Sequence, residues 1–142
     1  MSPMEGSPRI AQRRAQFALN RVQVVPAGIR KEYARLVRRL PVMVLRNGLG
    51  QAIAFHVAQA KDQLDSAPGQ IVRDLSEWLI RERDIYKGDP GSLKALITAI
   101  TDSDSIAYRR AQAEVLALLD WMKKFADAFL PSEGAAAKGF TA

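Results

Sequence analysis

The sequence predicts an all-α fold, a compact single-domain bundle of roughly six helices, and three observations predict it. Apolar residues recur at spacings of three and four, the period of one helix face. No segment sustains the period-two alternation of a half-buried strand. Breaks bearing proline and glycine cut the chain into pieces of helical length, with no internal repeat and no long linker. At 142 residues the chain is long enough for one real core, and 48% apolar with 25% charged residues is an ordinary globular composition.

Residues 1–8 are expected to be a flexible N-terminus, 9–130 the helical domain and 131–142 a flexible tail. The first helix is expected from Ile10 to Val22, ending before the Val24–Gly28 break at Pro26. The second is expected from about Ile29 to Leu40 and to stop at Pro41, because proline disfavours helix at the residue before it. The third is expected from Val42 to about Leu64, ended by Ala67-Pro68-Gly69. It is apolar on most sides, with Leu45, Leu49, Ala52, Ile53, His56 and Ala60 on one face and Val44, Gly48, Phe55 and Ala58 on another. Such a helix is expected at the centre of the domain. Gly48 and Gly50 would each cost about 1 kcal/mol against alanine in a helix interior. Their presence predicts the close approach of a neighbouring backbone, either a helix or a nucleic-acid strand.

The fourth helix is expected from Ile71 to about Tyr86, before the turn Lys87-Gly88-Asp89-Pro90-Gly91. A short piece from Ser92 to Ile100 precedes the clearest helix, Ser105 to Leu130. There Tyr108, Ala111, Val115, Leu118, Met122, Phe125 and Phe129 form an unbroken apolar seam. Asp102, Ser103, Asp104 and Ser105 offer oxygens to cap its first turn, and Pro131 and Gly134 mark its end. On its outer face Arg110–Glu114, Asp120–Lys124 and Lys123–Asp127 are opposite charges four residues apart, expected to neutralise one another.

Charge is distributed one-sidedly. The first 46 residues hold ten bases against Glu5 and Glu32, a net +8, while the rest of the chain is −2 and the whole is +6. A potential of one sign suits a polyanion, so nucleic acid is the predicted partner. Lys31, Arg35 and Arg38 fall at i, i+4 and i+7, Arg39 follows Arg35 by four, and Arg46 lies beyond. Arg13 and Arg14, with Arg9 and Arg21, form a second cluster. Phosphate contact through Arg13, Arg14, Arg21, Lys31, Arg35, Arg38, Arg39 and Arg46 is the expectation. The plainer reading is a solvated face partnered by acids such as Asp62, Asp65, Asp74, Glu77, Glu82 and Asp84.

Little else carries chemistry. Cysteine is absent, which excludes disulfides, thiolate zinc sites and cysteine nucleophiles, and one histidine excludes a His-rich metal centre. No cofactor and no metal are expected. His56 lies on an apolar face with no serine near it in sequence, and reads as a core or interface residue rather than a general base. Asp102 and Asp104 precede a helix, where such residues are caps before they are cation ligands. Trp78 and Trp121 sit beside apolar stripes and read as packing rather than base-stacking platforms. Asn47-Gly48-Leu49-Gly50 lacks the Lys-Ser/Thr of a phosphate-binding loop. No apolar stretch approaches membrane-span length, and a cytoplasmic protein is expected.

Several segments in order resemble one family: Leu40-Pro41, Asn47-Gly48-Leu49-Gly50-Gln51-Ala52-Ile53-Ala54-Phe55, Trp78-Leu79, Tyr108-Arg109-Arg110 with Glu114, and Trp121-Met122-Lys123-Lys124-Phe125-Ala126. The chain resembles, over Ile10 to Phe129, the small all-helical subunit of the type III-B CRISPR RNA-guided effector, the Cmr complex. The resemblance implies a structural subunit rather than an enzyme. Copies would stack as an inner filament beside backbone subunits that hold guide RNA, with target RNA paired in the channel between. Target cleavage would belong to the backbone subunit, and DNA cleavage and cyclic oligoadenylate synthesis to the large subunit. The implied partners are therefore guide RNA, target RNA, the backbone and large subunits, and further copies of this chain. Pro41, Asn47, Gly48, Leu49, Phe55 and Trp121 carry the resemblance and are expected to maintain the fold.

The alternative is a stand-alone helical DNA-binding module of helix-turn-helix type. Lys31–Arg39 offers it charge but no Asn, Gln or Ser to read base edges. A carboxylate nuclease built on Asp102 and Asp104 is a third possibility, and no catalytic constellation supports it.

Overall fold

The computed structural model describes residues 9–131, and among them there are six helices and no strand. They are α1 (Ile10–Gln23), α2 (Arg30–Asn47), α3 (Leu49–Ala60), α4 (Ala67–Ser76), α5 (Leu93–Thr101) and α6 (Ser105–Phe129). The expected flexible ends, 1–8 and 132 onward, lie outside the described residues. α6 packs along α1 and α2, while α3 lies against α4, α2 and α5. The centre is filled by Tyr33, Leu40, Ile53, Ile71, Leu75, Trp78 and Leu118, all fully buried.

Pro41 does not end the second helix, which continues through it to Asn47. An internal proline deprives the carbonyl four residues back of its partner and costs about 3 kcal/mol. Val37, Leu40 and Val44 on the same helix are each 0% exposed. Burial worth roughly 1.5–3 kcal/mol per such side chain outweighs the local penalty.

The break falls instead at Gly48, whose φ of 86° and ψ of 159° lie in a region essentially reserved for glycine. Two side chains of α6 then receive the start of α3. The Leu49 amide donates to Gln112 Oε1 at 3.0 Å, and the Gly50 amide to the Tyr108 hydroxyl at 3.0 Å. A Cβ on Gly48 would lie 2.9 Å from that same hydroxyl oxygen. The close neighbours that the glycines predicted are thus side chains, Tyr108 of α6 beside both and Ile100 of α5 beside Gly50, neither a backbone nor a nucleic-acid strand.

Further along, α3 ends at Lys61, which turns left-handed (φ 49°, ψ 49°), short of the expected Leu64. Ala67-Pro68-Gly69 opens α4 rather than closing α3. Ser66 Oγ accepts from the Gly69 amide at 3.1 Å, and Pro68 stands in the first turn, where its missing N–H leaves nothing unpaired. α4 runs on into a wider, π-type turn, Glu77–Glu82, in which the Arg83 amide reaches the Trp78 carbonyl at 2.8 Å. Widening the turn buries three successive residues, Trp78, Leu79 and Ile80. The expected helix to Tyr86 therefore stops at Glu82.

The seam of α6 is where it was expected. Ala111, Val115, Leu118 and Met122 are fully buried, Tyr108 and Phe125 half-buried, and only the terminal Phe129 is exposed. Asp104 caps the helix by accepting from the Ala107 amide at 2.8 Å. Of the three expected pairs on its outer face, Asp120–Lys124 forms at 2.9 Å. Glu114 turns inward and Asp127 bonds Arg38, so the other two do not form. The all-round burial expected for a helix from Val42 also fails. Leu45 belongs to the outer side of α2 and is 68% exposed, and Phe55 on α3 is 45% exposed.

Candidate nucleic-acid interface

The amino-terminal bases separate into two groups. One is absorbed into the fold. Arg14 grips Glu114 with two bonds, Nε to Oε1 at 2.7 Å and a terminal nitrogen to Oε2 at 3.0 Å. Glu114, 6% exposed, also accepts from the Trp78 indole at 3.0 Å and faces Arg83 at 3.5 Å. Burial pushes this carboxyl up, but the hydrogen bonds from Arg14 and Trp78 prevail and hold it below the usual range. Arg21 lies 3.4 Å from Asp74, which also accepts from Tyr33 at 2.6 Å and Gln70 at 2.9 Å. Asp74 is so deeply buried that its pKa is nevertheless pushed up to about 6, its polar partners offsetting only part of the desolvation. Arg13 donates to the Glu82 carbonyl at 3.2 Å.

The second group lies along the outward side of α2. Because the helix is unbroken at Pro41, Lys31, Arg35, Arg38, Arg39 and Arg46 belong to one rigid rod. At 1.5 Å per residue the first and last are on the order of 20 Å apart along its axis. Arg35 lies 3.6 Å from Glu32, and Arg38 bonds Asp127. Lys31, Arg39 and Arg46 are exposed, and none has a carboxylate partner among the described residues. An open groove of about 450 Å³ runs between Arg38, Arg39, Val42, Met43, Arg46 and Asn47. The exposed apolar Val42 and Leu45 flank these bases. Such a surface offers donors for phosphate and greasy contact for sugars.

The remaining singled-out residues are placed as follows. Trp78 is buried against Phe17, its ring centroid 5.0 Å away. Trp121 is half-buried and stacks on Phe125 at 5.7 Å. Gly48 and Leu49 form the joint of α2 and α3 and Pro41 is half-buried within α2, whereas Asn47 and Phe55 are exposed. His56 is 1% exposed and donates through Nδ1 to the Ala52 carbonyl at 2.8 Å. Burial holds its pKa below the ordinary histidine value, the bond to Ala52 opposing only in part. Among the described residues no three carboxylate or histidine groups converge as a metal site, and no helix is long and apolar enough to cross a membrane.

Sequence reasoning missed the Glu114 centre, whose Arg14, Trp78 and Arg83 lie far from it in the chain. It also missed a pocket of about 100 Å³ beside the groove, which brings Arg39 to Phe55 and His56. The only sign of that pocket in the sequence was one histidine on an otherwise apolar helix face.

Residues 10–129 match the family of CRISPR-associated proteins Cas_Cmr5. Among curated proteins the chain is similar to the CRISPR system Cmr subunit Cmr5 of Thermus thermophilus. The two are 32% identical over 117 residues, covering 82% of this chain and 91% of that one. Among solved structures it is similar to the crystal structure of a CRISPR-associated Cmr5 family protein from the same organism. That match has a TM-score of 0.69 at 30% identity and covers 87% of this chain and all of the other. With the match spanning every helix from α1 to α6, the chain belongs to the Cas_Cmr5 family.

Proposed function

We propose that this chain is a non-catalytic structural subunit of a Cmr-type RNA-guided CRISPR effector, supplying a basic surface along the guide–target RNA. Family membership supports the assembly, and one observation supports the surface. Lys31, Arg39 and Arg46 stand exposed along α2 without carboxylate partners among the described residues, while Arg14 and Arg21 are held by Glu114 and Asp74. The RNA-facing set is therefore Lys31, Arg39 and Arg46, with Arg35 and Arg38 beside them. Arg14 and Arg21 serve the core, and Arg13 serves the joint of α1 with the Glu77–Glu82 turn.

Contacts to phosphate and sugar hold RNA without reading it, and pairing between guide and target supplies sequence specificity. Copies of the chain stacked within the complex would repeat the patch, so that weak contacts add through effective concentration. Backbone and large subunits are the protein partners of this reading, and the site of action is the cytoplasm. The test is to assemble the guide-loaded effector with and without this chain and titrate labelled target RNA at two salt concentrations. Lower affinity without the chain, with the larger loss at low salt, is the expected result. Unchanged affinity with no stable incorporation would turn attention to duplex DNA.

A further inference from the structure

The pocket beside the groove contains a buried polar atom with no partner. His56 forms part of its wall together with Leu36, Met43, Phe55 and Pro68, and Arg39 stands at it as well. The partner of Nδ1 is a carbonyl, which can only accept, so Nδ1 carries the proton. In the neutral ring Nε2 is then a bare acceptor, and it is buried without a hydrogen bond. Buried polar groups are almost always satisfied, so an occupant is expected to complete this one. It must bring an N–H or O–H donor, which excludes a phosphate or carboxylate oxygen at that depth.

The rest of the pocket defines that occupant further. Leu36, Met43, Phe55 and Pro68 give it an apolar side, Glu32, Arg35, Arg39 and Gln59 a polar one, and Phe55 stands edge-on to the imidazole with centroids 5.4 Å apart. Phe55 is 45% exposed and stands outside the buried core, so a change of its rotamer would open the pocket without uncovering that core. Arg39 and Met43 line both this pocket and the groove, so the two spaces adjoin. A flat apolar-faced ring with N–H on its edge, joined to an anion resting on Arg39, suits the buried acceptor, the apolar side of the pocket and the cation at its rim, where Glu32 is already paired with Arg35.

We propose that this pocket takes the base of one unpaired RNA nucleotide, which donates an edge N–H to His56 Nε2 and sets its phosphate on Arg39. The nucleotide is unpaired because base pairing would consume the donor. This inference rests on the RNA-surface reading above and adds to it a place where the protein touches a base. Selectivity would follow only from which base edge presents the donor.

His56 is the only histidine in the chain, so its imidazole nitrogens give one unambiguous pair of resonances in long-range ¹⁵N spectra. The full-length protein is titrated with each nucleoside 5′-monophosphate in turn, and with ribose 5-phosphate as the base-free control. The expected result is a saturable shift of Nε2 with at least one nucleotide and none with ribose 5-phosphate. Arg39→Ala should weaken that titration while leaving the folded spectrum intact. A single-stranded oligouridylate is added in parallel to wild type and to Arg39→Glu/Arg46→Glu. Should the oligomer bind wild type more tightly than the variant while Nε2 stays silent to every nucleotide, the pocket proposal falls and the surface reading stands. No oligomer binding, here or in the assembled complex, overturns both. A shift of Nε2 on raising protein concentration alone would assign the pocket to a neighbouring copy's side chain and overturn the proposal.

Discussion

Arg14 and Glu114, one hundred residues apart in sequence, form a two-bond ion pair that ties α1 to α6 beside the indole of Trp78. It accounts for one of the amino-terminal positive charges within the fold itself. Breaking a buried pair by removing one partner typically costs about 3–5 kcal/mol, because the other charge is left uncompensated. Glu114→Ala would strand Arg14, Arg83 and the Trp78 N–H together. A loss in that range is expected in urea or guanidinium unfolding, with only a smaller share recovered by Glu114→Gln, which keeps an acceptor for the indole but leaves Arg14 and Arg83 without a counter-charge. A loss below about 1 kcal/mol would place the pair among ordinary surface bridges.

Gly48 and Tyr108 are coupled through one oxygen atom. Gly48→Ala must hold a positive φ and bring its methyl carbon against the Tyr108 hydroxyl. Backbone strain of this kind costs on the order of 1–3 kcal/mol. Tyr108→Phe loses the bond from the Gly50 amide, worth about 1 kcal/mol. It also removes the atom that the alanine meets. Thermal unfolding of both single variants and the double variant should therefore show a total loss smaller than the sum of the two. Strict additivity would mean that the two residues do not share this contact.

Asp74 gives the fold a pH dependence opposite to that of a salt-bridged carboxylate. Its folded pKa of about 6 lies above the ordinary 3.8, so between those values the native state binds more protons than the unfolded chain. This group's contribution to stability is full below about pH 4 and lost as pH rises toward 6, after which it levels. The change is about 3 kcal/mol at most, from 1.36 kcal/mol per pKa unit. Denaturant unfolding of wild type and Asp74→Asn at pH 4, 5, 6 and 7 isolates it. Wild type should lose ground to the variant across that interval. A flat difference would mean that Tyr33, Arg21 and Gln70 hold the carboxylate ionised throughout.

What the sequence made legible was whatever depends on neighbours along the chain. The three–four spacing from Tyr108 to Met122 located α6 and its buried face, and Asp104 was readable as a cap. Pro41 misled, because its local cost is visible in sequence while the burial of Val37, Leu40 and Val44 that outweighs it is not. Gly48 announced a close neighbour, but only the packed chain shows that it is Tyr108. Glu114 was assigned to Arg110 because a partner four residues away can be seen, whereas Arg14 cannot. The eight candidate bases looked alike for the same reason, until the acids that hold Arg14 and Arg21 were located in space.

The central claim is that the outward face of α2 holds RNA, and its most direct test is salt-dependent target binding by the assembled effector. Wild type and Arg39→Glu/Arg46→Glu would each be incorporated and titrated with target RNA from low to physiological salt. Each phosphate neutralised on a single strand contributes about −0.7 to the log–log slope. Equal incorporation is expected, with weaker binding by the variant at low salt and a slope shallower by about that amount for each phosphate it no longer holds. Equal affinity and equal slope in fully incorporated complexes would contradict the claim.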